Sequence, residues 1–91
     1  MVAKGSKDGT VRFSVLPRQE PRQVLLAGDF NGWKGRKMVK GKNGAFVAVV
    51  PLKPGTYEYK FVIDGQWVPD ADNPVCGPNV YGTANSIVAV S

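Results

Sequence analysis

The sequence predicts an all-β sandwich of six to eight short strands. Three observations carry that expectation. Apolar and polar residues alternate in short runs, glycine and proline punctuate those runs at close intervals, and no stretch shows the apolar spacing of an amphipathic helix. A chain of 91 residues closes one hydrophobic core but does not house a core and a deep active-site cleft together. The expected organisation is a loose leader over residues 1–9, rich in lysine and glycine, followed by one β domain over residues 10–91.

In the first strand, Thr10 to Leu16, Val11, Phe13 and Val15 share one side and Thr10, Arg12 and Ser14 the other. Pro17 and Pro21 bracket a polar turn. Gln23 to Gly28 is a second apolar strand that closes into Asp29-Phe30-Asn31-Gly32-Trp33, with Asn31-Gly32 as a tight turn. Met38-Val39 is a short strand candidate and Lys40 to Gly44 a turn. Ala45 to Val50 is too apolar for a strand exposed on one side, so it is expected between two covered faces. Pro51 and Pro54-Gly55 then interrupt the chain. From Thr56 to Ile63, Tyr57, Tyr59, Phe61 and Ile63 alternate with Glu58, Lys60 and Val62. Asp64-Gly65 fits a two-residue hairpin turn into Gln66-Trp67-Val68. Pro69 to Asn79 is expected as a loop and Ser86 to Val90 as the last strand. With no internal repeat, this order of short strands indicates an immunoglobulin-like (early-set) β-sandwich.

Composition removes several function classes. The net charge is +5, but its lysines and arginines are scattered from Lys4 to Lys60, without the clustering that a nucleic-acid footprint requires. No apolar run approaches the roughly 20 residues of a membrane span, and the first residues lack the apolar centre of a secretory signal. Cys76 is the only cysteine, so no internal disulfide forms; a reducing compartment, by default the cytoplasm, is expected. Asp70 and Asp72 lie between Pro69 and Pro74, which favours a turn over a calcium loop. Glycoside hydrolysis needs two carboxyl groups facing across a cleft, and Asp29, Glu58 and Asp64 fall in a turn, on a strand exterior and at a hairpin tip. With no histidine, Cys76 lacks the usual base partner. No catalysis, metal or cofactor is expected.

The hairpin permits a geometric inference. A two-residue turn at positions 64 and 65 pairs Ile63 with Gln66 and Val62 with Trp67. Trp67 then shares a face with Val62 and sits diagonal to Lys60, opposite the face of Tyr59, Phe61 and Ile63. If the aromatic face is the core, Trp67 and Lys60 point outward. An outward indole beside an ammonium suits a sugar: the ring takes the C–H face of a pyranose and the lysine donates to hydroxyls. The other explanation is that Trp67 covers a sheet edge, and parity leaves both open. Trp33, which follows an Asn-Gly turn beside Lys34 and Gly35, either faces outward or anchors its loop.

Gly28-Asp29-Phe30-Asn31-Gly32-Trp33, taken with Tyr57-Glu58-Tyr59-Lys60-Phe61-Val62-Ile63-Asp64-Gly65-Gln66-Trp67, resembles family 48 carbohydrate-binding modules. The similarity extends over about residues 10–90 and takes in Asp70-Ala71-Asp72-Asn73-Pro74 and Gly82-Thr83-Ala84-Asn85-Ser86. The resemblance implies non-catalytic binding of an α-glucan polysaccharide or maltooligosaccharide. Trp33 and Trp67 would stack on successive glucose units, and Lys60 and Asn85 would hydrogen-bond hydroxyls. Thr83 matches a sugar-contacting threonine of that family, and Tyr81 stands where the family has a loop leucine that reaches around the glucan. Such modules serve a glycan-processing enzyme or a kinase subunit, and some pack on an enzyme as a structural domain without binding sugar. A two-tryptophan cradle prefers the curved α-1,4 chain to the flat β-1,4 ribbon.

Overall fold

The computed structural model describes the chain except Ser6, Pro74 and residues 79–83, and of Pro78 the backbone alone. Ten strands are present among the described residues: β1 (Val2–Lys4), β2 (Thr10–Val15), β3 (Val24–Gly28), β4 (Arg36–Lys37), β5 (Val39–Lys40), β6 (Phe46–Pro51), β7 (Gly55–Ile63), β8 (Gln66–Val68), β9 (Cys76–Pro78) and β10 (Ala84–Val90). A 3-10 turn, Asp29–Asn31, follows β3. The strands form two antiparallel sheets. The smaller runs β1-β2-β6-β5; the larger runs β4-β3-β7-β10-β9, with β8 also paired to β7.

The sandwich follows from two-residue alternation. On the smaller sheet, the opposed pairs Val11 with Val50, Phe13 with Ala48 and Val15 with Phe46 face inward. On the larger sheet, Leu26 opposes Phe61 and Val88 opposes Tyr57. Phe13, Leu26, Tyr59 and Phe61 have no exposed surface. Phe13 meets Tyr59 edge-on at 4.9 Å, and Tyr59 meets Phe61 at 5.8 Å. Such aromatic pairs add about 0.5–1.5 kcal/mol beyond the area they bury.

Four details differ from the sequence-based expectation. β6 has one covered face, not two: Phe46, Ala48 and Val50 are buried while Val49 is 42 % exposed. Its outer valines join exposed Val39 in an apolar stripe edged by Arg12, Arg36, Lys37 and Lys40. Residues 2–4, within the expected leader, pair with β2 (Val2 opposite Phe13), because an open sheet edge accepts backbone hydrogen bonds whatever the side chains. Around Met38 the chain changes sheets. Arg36–Lys37 pair with β3, Val39–Lys40 pair with β6, and buried Met38 donates its N–H to the Val24 carbonyl at 2.9 Å. Within the expected loop 69–79, Cys76–Pro78 pair with the start of β10.

The polar tip of Tyr59 organises that segment. Its hydroxyl donates to Asp70 Oδ2 (2.7 Å) and accepts from Asn73 Nδ2 (2.9 Å). Asn73 also donates to the Ile87 carbonyl (2.9 Å), and the Asp70 N–H donates to Ser86 Oγ (2.7 Å). The loop after β8 is thereby fastened to β10. Asp70 is thus a buried acceptor within the fold, and it receives the Met1 ammonium (2.5 Å) and the Asp72 N–H (3.1 Å) as well.

Removing the hydroxyl in Tyr59→Phe leaves Asp70 and Asn73 short of a partner and is expected to cost about 1–3 kcal/mol in urea unfolding. Burial, with Asp70 adding to it and the Asn73 hydrogen bond opposing it, raises the Tyr59 phenol above its ordinary value near 10. The unfolded phenol therefore ionises first. Its contribution to stability is complete below about pH 10 and is lost as pH climbs toward the folded value, so alkaline unfolding should be shallower in Tyr59→Phe. Phe61→Ala, a deletion at a fully buried position, is expected to destabilise by about 3–5 kcal/mol in the same titration.

Candidate functional site

The outer face of the larger sheet carries the residues that the sequence singled out. Its floor is β7, where Glu58, Lys60 and Val62 alternate with the core aromatics. The hairpin after β7 has the expected register, Ile63 opposite Gln66 and Val62 opposite Trp67. Asp64 and Gly65 both adopt positive φ, 48° and 84°, the conformation of a turn that continues the strand twist. Asp64 Oδ1 accepts the N–H groups of Arg22 and Gln23, at 2.9 and 3.0 Å, which ties the hairpin tip to the start of β3. Trp67 is thereby held on the outer face and is 51 % exposed.

Trp33 reaches the same face through the turn after β3. Asn31 Oδ1 accepts the Gly28 N–H (3.0 Å), its Nδ2 donates to the Leu26 carbonyl (2.9 Å), and the Trp33 N–H donates to the Gly28 carbonyl (3.0 Å). Gly32 and Trp33 both lie in the left-handed region, at φ 64° and 63°. Glycine takes that conformation freely; for tryptophan it costs roughly 1–2 kcal/mol. A Cβ at Gly28 would approach the Glu58 carbonyl and the Phe30 ring to 2.7 Å, so no larger residue fits where the turn leaves the sheet. Asp29 completes the turn: Oδ1 accepts from Trp33 Nε1 (3.2 Å) and Oδ2 from the Glu58 N–H (2.8 Å).

The two indoles meet. Their centroids are 6.4 Å apart and their planes are inclined by 39°. Two faces at that inclination follow a curved ligand better than a flat one. Trp33 is half-buried, so the sequence-based alternatives of outward ring and loop anchor describe two aspects of one residue.

Parity places Lys60 on the outer face, as expected, and there it is only 6 % exposed, with its neighbour Val62 7 % exposed. Hairpin parity fixes which face a side chain takes, not whether neighbouring elements cover it. Asn85 lies at the start of β10, opposite Gly77, and is likewise almost buried. One step beyond the recorded pairing of Ser86 with Tyr59, it comes opposite Lys60. Its Nδ2 donates to Glu58 Oε1 at 3.1 Å, and Lys60 and Asn85 each engage at least one further partner. Tyr81 and Thr83, the remaining expected site residues, lie outside the described residues. Among the described ones the fold brings Trp33, Trp67, Lys60 and Asn85 to one face.

Asp29 and Glu58 belong to this site as well, and the sequence weighed them only as hydrolytic acids. One available signal was the position of Asp29 at the mouth of a turn, where an aspartate commonly accepts from nearby N–H groups. The other was the parity that sets Glu58 on the same face as Lys60.

The comparisons agree with this architecture. The family model described as the glycogen recognition site of AMP-activated protein kinase matches residues 12–91. The chain is 43 % identical over 79 residues to protein PTST homolog 2, chloroplastic, of Arabidopsis thaliana, covering 86 % of this chain and 14 % of that protein. It is 38 % identical over 69 residues to the 5'-AMP-activated protein kinase subunit beta-1 of Homo sapiens, covering 76 % of this chain and 25 % of the relative. The chain thus spans about a seventh to a quarter of these two relatives. Among solved structures, a maltogenic amylase from S. marinus superposes with a TM-score of 0.76 at 24 % identity, over 90 % of this chain and 13 % of that one, which is a likeness of fold. A putative alpha amylase from Salmonella typhimurium gives 0.72 at 28 % identity, over 96 % and 14 %. With a matching model across nearly the whole sandwich, the chain belongs to the glycogen-recognition domains of the AMP-activated protein kinase type, within the family 48 carbohydrate-binding modules.

Proposed function

We propose that this domain binds α-1,4-linked glucans, in glycogen, starch or maltooligosaccharides, without catalysing their conversion, and so holds a larger protein or a partner on the polymer. The observation that carries this is the tilted Trp33–Trp67 pair on the outer face of the larger sheet. Each ring offers an apolar surface to the C–H face of a glucose unit, and the mutual inclination follows the curvature of an α-linked chain. Lys60 and Asn85 line the same face and would serve hydroxyls at the platform floor, from largely buried positions. The family resemblance adds Thr83 and Tyr81 as sugar contacts, Tyr81 with its ring where related domains use a leucine. Family membership and the names of the relatives support both the glucan and a targeting role beside a kinase subunit or a glycan-processing enzyme.

A shallow platform leaves most ligand hydroxyls in water, so single-site affinity is expected on the order of 10 µM to 1 mM, roughly −7 to −4 kcal/mol, with avidity on a branched polymer. The test is retention on glycogen or amylose together with calorimetric titration by maltoheptaose. Trp33→Ala and Trp67→Ala should each weaken binding at least about tenfold, equivalent to about 1.4 kcal/mol. Since the ligand is uncharged, raising salt should change wild-type binding little, unlike phosphate recognition. Full binding by both variants would overturn the platform. Absence of binding by the wild type would leave a domain that packs on its neighbours without taking sugar.

A further inference from the structure

We propose that Asp29 is the positioning residue of the tryptophan platform: it fixes the Trp33 indole against β7, so that Trp33 offers a glucan its ring face and no hydrogen-bond donor. The inference rests on the glucan-binding role above and adds to it how the platform geometry is set. Asp29 uses its two carboxylate oxygens on two different elements. Oδ1 accepts from the Trp33 indole at 3.2 Å, and Oδ2 accepts from the Glu58 backbone at 2.8 Å. Glu58 lies one residue beyond Tyr59, the last β7 residue paired to β3, so the aspartate supplies an acceptor where the β3 ladder stops. Glu58 in turn receives Asn85 Nδ2 at 3.1 Å. Trp33, Asp29, Glu58 and Asn85 are thus linked residue to residue, through the backbone N–H of Glu58 on one side and its carboxylate on the other, from the β3 side of β7 to β10.

Trp33 needs such a tie because its backbone does not supply one cheaply. It sits at φ 63° after a glycine at φ 64°. Its ring is held by no strand, whereas Trp67 is fixed by the hairpin register. An indole has a single donor. With that donor directed at Asp29, sugar hydroxyls must be read by other groups, and what Trp33 contributes is stacking. The chemistry of residue 29 is constrained in the same way. Asparagine keeps the shape of aspartate but puts an NH2 group where one of the two oxygens stands, so in this geometry, with the Trp33 indole on Oδ1 and the Glu58 N–H on Oδ2, one of the two donors would face another donor.

The experiment compares Asp29→Asn in the wild type and in a Trp33→Phe background, where the ring remains and its donor does not. The far-UV circular-dichroism couplet between the Trp33 and Trp67 indoles is read first, without ligand. Maltoheptaose affinity and the melting midpoint follow. Asp29→Asn should abolish or invert the couplet and weaken maltoheptaose binding roughly tenfold, about 1.4 kcal/mol, while in the Trp33→Phe background it should cost less than about twofold. In the unmutated protein, the Trp33 indole N–H, bonded to Asp29, should exchange with solvent more slowly than that of half-exposed Trp67, a readout that does not depend on the variant folding. An unchanged couplet, equal losses in both backgrounds, or a Trp33 indole N–H that exchanges as fast as that of Trp67 would each overturn the proposal. A wild type that shows the couplet but takes no maltoheptaose would sink the glucan role and leave the positioning by Asp29 standing.

Discussion

Strand β7 is buried on both sides at its centre, and the rest of the molecule is arranged around that fact. From Tyr59 to Val62 four consecutive residues are covered. Alternation sends Tyr59 and Phe61 into the sandwich and Lys60 and Val62 to the opposite face, so burial of all four requires material on both faces. The inner cover is the smaller sheet, with Phe13 against Tyr59. On the outer side, the platform residues stand above the floor that Lys60 and Val62 form. Burial of a lysine is costly unless its charge is engaged, and Lys60 does have a partner. The platform is therefore attached to the most constrained strand of the domain.

Much of the fold was legible because it depends on local rules. The Thr56–Ile63 alternation, the Asp64-Gly65 turn and the resulting pairing of Val62 with Trp67 all follow from period and turn chemistry, and they stand in the structure as expected. Features that depend on tertiary context were not legible. The apolar run in β6 reads the same whether one face is covered or two; the third layer that would bury Val49 is absent from the described residues. The pairing of residues 2–4 depends on an available edge at β2, and the change of sheet at Met38 depends on how the two sheets meet.

The site divides along the same line. Trp67 was placed by parity. Trp33 was suggested by resemblance, because a ring that leaves the sheet through two left-handed residues has no period from which to read its direction. Lys60 was assigned to its face by parity, which says nothing of how far neighbouring elements cover it. Turn chemistry and parity hint that Asp29 and Glu58 lie near the site, but their partners are 29 and 27 residues away in sequence and had to be seen in the fold.

The left-handed pair Gly32-Trp33 has a consequence for the timing of binding. Strain in the turn is met at folding, when Asn31, Gly28 and Asp29 close around it. In this turn, little remains to be ordered when a ligand arrives. Under the proposed glucan role, encounter would proceed at an ordinary diffusive rate and the modest affinity would appear as rapid departure, with residence on the order of milliseconds to a tenth of a second for association near 10⁶ M⁻¹s⁻¹. A surface that released this quickly would let whatever it carried step from one stretch of glucan to the next and remain on the same polymer.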